Sequence, residues 1–594
     1  MKSEEKIKKL RAIMEREGID YFIIPTSDPH MSEYVLDRYK SRVYMTGFTG
    51  SAGWAVVTKD KALLWADGRY HVQAAKEIKN TPFELMKWGL DGVPTWQEWL
   101  EEKVEDGEVI GFNGEIAPVS MLDNIKKLFP NNKLVYDKDI IGEFWEQRPE
   151  LPKGKAFILG EEYTGISPTE KLEKVRERMD EEGVSSIYIA SLPDICYLLN
   201  LRGSDDLYTP IVVSYLLIDR SSATLFVNEN KIDQTVNGYL KKHAVKIRPY
   251  EEIVDALKSL NKEDMVWLDP NMTSALHYKL IEENANIFES ELPSTIMKAV
   301  KNEVEIANTR KAHIIDGVAL TRYLFWIKDN AGKIDMDEFS AEEKLHEFRS
   351  EGEGFLGESF KTISAYRANA AMAHYSASEK AHDKIKDDGI YLVDSGGQYY
   401  SGTTDVTRTI TLGEPTKEEI NDYTLTLKGH IRLFLAKFIK GTSGHYIDIL
   451  AREAMWKEGI DFKHGTGHGV GHVLGVHEGP HRISTAPSSV ALVPGMVVSN
   501  EPGIYREGKH GIRIENLVVV QEYKTTQFGT FYGFENLTFT PYERELIDVS
   551  ILTEEEIDYI DNYHAECLNK LIHGMKTPEE KEKLKEVTKP LVRH

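Results

Sequence analysis

Cysteine is almost missing from this sequence: Cys196 and Cys567 are the only two in 594 residues. That excludes a disulfide framework and a cysteine metal cluster, and it points to a reducing compartment. Long apolar runs are missing as well. No stretch of 18 apolar residues occurs, and Met1-Lys2-Ser3-Glu4-Glu5-Lys6-Ile7-Lys8-Lys9 is charged where a secretory signal would carry its apolar core. The expectation is a cytoplasmic protein with no membrane partner, in which the triplets Asn271-Met272-Thr273 and Asn536-Leu537-Thr538 are chance matches to a glycosylation site. Positive charge is short too: 73 Lys and Arg stand against 96 Asp and Glu, a net charge of −23. Phosphate binding needs clustered cations, so a nucleic-acid partner is not expected. The acid excess is spread along the chain and reads mainly as a solvated surface.

What is present is an ordinary globular composition, 41% hydrophobic and 28% charged, in a chain too long for one core. The front half repeats itself. Ile7, Leu10, Ile13 and Met14 have the spacing of an amphipathic helix that Gly18 ends, and the strand Tyr21-Phe22-Ile23-Ile24 follows. Leu172, Val175 and Met179, then Gly183, then Ile187-Tyr188-Ile189 repeat that order. A Tyr and Gly-Ser phrase also recurs, at Tyr44 to Ser51 and at Tyr197 to Ser204, each time before a β-rich run. The fold class is therefore α/β (α+β), with two related α/β domains at 1–150 and 151–293 and a larger α/β unit at 294–594. The proline-containing stretch 148–154 reads as the linker between the copies. A long charged helix is expected from Lys298 through Ile314, and another from Thr553 to about Ile572, with a polar, mobile tail after it.

The chemistry collects in the larger unit. Tyr391 to Arg408 places Asp394 and Asp405 on what read as two antiparallel strands of a hairpin. Facing acids repel, and a hard divalent cation between them would remove the repulsion. Alone, the stretch fits two surface aspartates equally well. Four other segments add to it: Ala373-His374-Tyr375, the run His464-Gly465-Thr466-Gly467-His468-Gly469-Val470-Gly471-His472, Asn500-Glu501-Pro502-Gly503, and Gly511-Ile512-Arg513-Ile514-Glu515. The glycines of the histidine run let the backbone approach something closely. The last segment alternates as a strand, with Arg513 and Glu515 on one face. Four carboxylates, Asp394, Asp405, Glu501 and Glu515, with one imidazole match two divalent cations in charge, and an oxygen-rich set suits manganese or cobalt better than structural zinc.

Together these segments resemble the dinuclear metallopeptidases of the pita-bread fold, and among them the three-domain, cytosolic type of aminopeptidase P, over essentially the whole chain. The resemblance implies that Asp394 holds one metal, that Asp405 and Glu515 bridge both, and that His468 and Glu501 complete the other site. It implies substrate-side histidines at His374, His464 and His477 and a supporting arginine at Arg513. The cofactor it implies is a pair of divalent ions, Mn²⁺ first, with Co²⁺ or Zn²⁺ as alternatives. A homodimer is also expected.

Two motif matches are rejected on physical grounds. His477-Glu478-Gly479-Pro480-His481 fits H-E-x-x-H, but that motif works only on a helix, and Gly479 and Pro480 oppose one. Gly352-Glu353-Gly354-Phe355-Leu356-Gly357 fits G-x-G-x-x-G without the strand that should precede it.

Two bridged cations would lower the pKa of a water between them to give hydroxide near neutral pH, which suits amide hydrolysis. Glu501 is then the expected proton shuttle, and His477 and His374 the expected donors to the oxyanion. The resemblance implies peptide substrates with proline second, cleaved at the N-terminal Xaa-Pro bond. A dipeptide-only enzyme (prolidase) and a non-enzymatic binding protein on the same fold remain the alternatives.

Overall fold

In the computed structural model the described residues are 1–379 and 381–592. The chain divides into two compact units, one formed by most of the residues up to Ser294 and the other by Thr295 onward together with Leu159–Ile166 and Leu207–Pro210.

The first unit contains two six-stranded sheets with the same strand order. In the first the strands are Tyr21–Ile24, Trp54–Thr58, Ala62–Ala66, Glu84–Lys87, Val109–Phe112 and Lys133–Val135. Numbered in chain order within the sheet, they lie 4-3-2-1-5-6. In the second sheet Ser186–Ile189, Ser214–Asp219, Ala223–Val227, Val245–Arg248, Met265–Leu268 and Asn286–Glu289 repeat the order 4-3-2-1-5-6. Strand 1 pairs antiparallel with strand 2 and parallel with strand 5 in both. The duplication read from a helix, a strand and a short phrase thus extends to a complete topology.

The repeated local signals have physical reasons. The helix Ser3–Glu17 buries Ile7, Leu10 and Met14, and the helix Pro168–Glu182 buries Leu172, Val175 and Met179. Each such side chain contributes about 1.5–3 kcal/mol when fully buried. Gly18 and Gly183 stop the two helices with φ of 66° and 69°, a conformation that glycine adopts without Cβ strain. The recurring tyrosine phrase is a second such stop, where Ser41–Thr46 ends on Gly47 and Leu192–Leu199 ends on Asn200. Asn200 takes φ 51° and is held there by Lys171, whose ammonium donates to its side-chain oxygen at 2.7 Å. Corresponding positions of the two copies also meet: Pro118 and Ser274 bridge, Val119 N–H donating to Thr273 and Ala275 N–H to Ala117.

The helix expected to run from Lys298 is two helices, Pro293–Ala299 and Glu303–Asn330, because Asn302 caps the second by accepting from Val304 and Glu305. Two sheets then carry the chemistry. One is three-stranded and antiparallel, with Ile390–Ser395 in the middle between Ile363–Tyr366 and Val406–Thr411. The other is four-stranded and includes Val497–Asn500 antiparallel to Asn516–Thr526. The helices Lys417–Leu435 and Gly444–Lys457 pack on the second sheet, and Glu554–Leu571 joins the core through Ile557, Ile560 and Tyr563. The tail differs from the expected polar, mobile segment. Thr577 caps a further helix, Pro578–Val587, and Leu584 and Leu591 bury in the same core. Leu584 and Leu591 anchor it, with Val587 packed beside them and Arg322 paired with Glu580.

Candidate metal centre

The pairings place the acids. Asp394 ends the strand Ile390–Ser395 opposite Thr407, and Ser395 pairs with Val406. Asp405 is therefore the residue before the neighbouring strand rather than within it, because the chain between the two acids makes a short excursion through Gly397–Tyr399 and Gly402–Thr403. In the other sheet Asn500 pairs with Asn516, so Glu501 and Glu515 leave the same end of two neighbouring strands. The expected strand through Arg513 and Glu515 is interrupted: Gly503–Arg506 and His510–Arg513 form one hairpin, and Asn516 starts the next strand. The break turns Glu515 toward the first sheet, where its N–H donates to Thr407 O and its carboxylate accepts from the Thr407 hydroxyl at 2.7 Å.

Side-chain donor atoms converge as a result. Asp394, Asp405 and Glu515 have donor atoms within 4.8 Å of one another, as do His468, Glu501 and Glu515, and Asp405, His468 and His477. His468 Nε2 lies 3.4 Å from both Asp405 Oδ2 and Glu501 Oε1. All five residues expected to bind metal come together.

Such crowding is electrostatically costly and shifts the protonation equilibria of the groups. Burial, then the charges of Asp405, Glu501 and Asp394, push the Glu515 carboxyl well above the usual range. Glu501 rises to about 7, from burial first and with Asp405 adding to it. Asp394 is raised by burial against the opposing pull of Arg513. His468 rises to about 9: burial opposes its charge, but its hydrogen bond to Asp405 and the Glu501 carboxylate outweigh that. Asp394 Oδ1 is also buried without a hydrogen-bond partner. Four carboxylates, one imidazole and an orphaned buried oxygen fit a pair of divalent cations, which would supply the missing countercharge.

The remaining expected residues divide. Arg513 donates to Asp394 Oδ2 at 2.6 Å, to the Tyr505 hydroxyl at 2.7 Å and to Thr407, so it supports the donor set from behind. His464 binds the Tyr505 hydroxyl at 2.8 Å, and burial together with the Arg513 charge lowers its pKa to about 3. His477 is exposed, its ring 4.3 Å from that of His468. His374 is exposed beyond the turn Arg367–Ala371, close enough for its charge to act on His464. The residues 471–480 form no helix, which removes the zinc-protease reading of His477 to His481.

Several supporting residues had no local signal in the sequence. Tyr505 joins Arg513 to His464. The Ser499 hydroxyl accepts from His468 N–H and donates to Glu501. Arg452 holds the backbone of Phe462 and His464. Arg408, fully buried, donates to the carbonyls of Glu515 and Thr540, to Asn516 and to Tyr563. Thr407 was the one within reach, since it lies two residues after Asp405 at the start of the next strand.

Comparison with known proteins agrees with this geometry. Residues 307–522 match metallopeptidase family M24, and residues 530–591 match the C-terminal region of peptidase M24. Residues 6–144 and 147–305 each match the Creatinase/Prolidase N-terminal domain. A protein of Tuber melanosporum named probable Xaa-Pro aminopeptidase P is 42% identical, covering 96% of each chain. Xaa-Pro aminopeptidase 1 of Dictyostelium discoideum is 39% identical over 96% of this chain and 93% of its own. The crystal structure of the X-prolyl aminopeptidase of Caenorhabditis elegans, described as a cytosolic enzyme with a di-nuclear active site, superposes with a TM-score of 0.93 at 35% identity over 100% of both chains. The chain belongs to metallopeptidase family M24, as a member in which two creatinase/prolidase N-terminal domains precede a pita-bread metallopeptidase domain.

Proposed function

We propose that this protein is a metal-dependent exopeptidase that hydrolyses the N-terminal Xaa-Pro bond of peptides and releases the first amino acid. The observation that carries the reading is the convergence of five donor side chains in a chain 42% identical to a relative named for that activity. In this reading Asp394 would hold one divalent ion, Asp405 and Glu515 would be shared by two, and His468 and Glu501 would complete the second position. The oxygen-rich donor set favours Mn²⁺, with Co²⁺ or Zn²⁺ as substitutes. When bound, such ions polarise the substrate carbonyl and lower the pKa of a water.

The chain's own residues do the rest. Glu501, at the open edge beside His468, takes the proton from the attacking water and returns it to the departing amine. His477 and His374, both exposed, donate to the carbonyl oxygen as negative charge develops there. Arg513, held between Asp394 and Tyr505, fixes the Asp394 carboxylate and does not touch substrate. An Xaa-Pro bond has no N–H to offer a β-type docking groove, and a pocket anchored on cations does not require one.

The protein is proposed to work in the cytoplasm as a homodimer. No helix among the described residues is long and apolar enough to cross a membrane. The helix Gly444–Lys457 exposes Tyr446, Ile449 and Trp456, an apolar face for a second copy.

The test is a peptide panel with chelated protein resupplied with Mn²⁺, Co²⁺ or Zn²⁺. Cleavage of Ala-Pro-Ala, dependent on metal and absent with Ala-Ala-Ala, is expected. Cleavage of Ala-Pro alone would make the enzyme a dipeptidase, and no cleavage under any metal would leave only a binding role.

A further inference from the structure

The rejected H-E-x-x-H match contains a glutamate that the mechanism leaves unused. Glu478 is buried, inside a loop whose ends are tied by pairing of Gly467 with Ile483 and His468 with Arg482. Within that loop Glu478 N–H donates to Gly469 O at 2.8 Å, and Gly471 N–H donates to Gly475 O. The Glu478 carboxylate accepts from Gly475 N–H at 2.9 Å.

Three loop glycines pack against this residue. A Cβ at Gly469 would stand 2.0 Å from Glu478 O, one at Gly471 2.7 Å from its carboxyl carbon, and one at Gly475 3.1 Å from its Cγ. Gly471 and Gly475 therefore leave room for the Glu478 side chain, and Gly469 for its carbonyl. Two lysines clasp the loop from the preceding segment. Lys298 Nζ lies 3.1 Å from Glu478 Oε2 with both side chains buried, and Lys301 donates to the carbonyl of Val470. Val473, fully buried, has φ 53°, a strained conformation for a β-branched residue that the surrounding contacts must enforce.

We propose that Glu478 is a positioning residue, with Lys298 as its counter-ion, that fixes the loop so that His477 stands against His468 at the metal centre. A carboxylate centred in the loop sets its curvature, and His477 is the next residue along the chain. The inference rests on the role given to His477 under Proposed function.

The test is a double-mutant cycle with Mn²⁺-loaded enzyme on Ala-Pro-Ala. E478Q keeps the size and an acceptor for Gly475 but loses the ion pair. It is expected to lower kcat by about 10²-fold at nearly unchanged KM, the cost of a displaced oxyanion donor. It should leave the Mn²⁺ stoichiometry unchanged. In an H477A background the same change is expected to alter kcat by less than about twofold, because both act through one imidazole. In metal-free protein, amide exchange over Gly469 to Gly475 should quicken in E478Q. A full additional loss in the H477A background, or wild-type kcat in E478Q, would overturn this inference alone. Wild-type kcat in H477A would overturn the role of His477 and the inference with it. Should E478Q fail to fold, K298M replaces it in the same cycle, with a smaller loss expected, again absent in the H477A background; an additive loss overturns the proposal there too.

Discussion

The two ends of the donor set are built differently. Asp394 lies on a strand and Asp405 and Glu515 directly precede strands, all three buried, with Thr407, Arg513 and Arg408 bracing them from behind. His468 and Glu501 are half-buried and His477 is exposed, and the histidines sit on a loop organised from within by Glu478. Buried like charges held at strand ends oppose the fold without a counter-ion, which suits them to holding cations. Groups on an accessible loop can meet substrate and exchange protons. In the proposed reading the buried end serves metal retention, His468 and Glu501 serve both functions and His477 serves substrate alone, so a substitution at His477 should leave metal binding measurable.

The largest effect should come from the buried end. Asp405→Asn is expected to abolish binding of both ions and peptide cleavage, whereas Asp394→Asn should lose chiefly one ion; metal counting by mass spectrometry of the two variants distinguishes a bridging acid from a terminal one. At the open end, His477→Ala should cut kcat by about 10²-fold while keeping both ions, the usual cost of one donor to an oxyanion. A loss of metal in that variant would break the comparison.

Smaller still is Arg513→Lys. It keeps the positive charge but loses the fork that spans Asp394 and Tyr505, and the expected result is about 10- to 100-fold weaker Mn²⁺ affinity by calorimetry. The mildest test is pH. Glu501 rises to about 7 in the folded, metal-free protein, against about 4.3 in an unfolded chain. A carboxyl with a raised folded pKa contributes stability that is complete below the unfolded value and lost as pH rises through the folded one. Metal-free protein should therefore lose thermal stability between about pH 4.5 and 7, and Mn²⁺ should restore more of it at the upper end. A thermal midpoint flat across that range would contradict the crowding described here.

Much of this was legible in the sequence because the signals are local. Gly18 and Gly183 end their helices as their position suggests, and the repeated tyrosine phrase marks a helix stop in both copies. Asp394, Asp405, His468, Glu501 and Glu515 stood out through the resemblance of their segments to a known family together with a matching charge count, and their donor atoms come together in the fold. What failed depends on distant partners. The strand expected through Glu515 breaks because Glu515 is recruited by Thr407, more than a hundred residues away in the chain. The tail forms a helix because Leu584 and Leu591 find a core assembled elsewhere. Arg513 reaches Asp394, and Lys298 reaches Glu478, across separations that no spacing rule connects. Glu478 shows the point most sharply: the motif it completes is wrong, yet the residue is central to the loop.

The central claim is that a dinuclear centre on this donor set performs Xaa-Pro hydrolysis. The most direct measurement is a titration of Mn²⁺ into chelated wild-type protein while release of alanine from Ala-Pro-Ala is followed. The account predicts no release before metal and a rise that saturates at two ions per chain. Full release from chelated protein, or saturation with no release at any metal level, would contradict it.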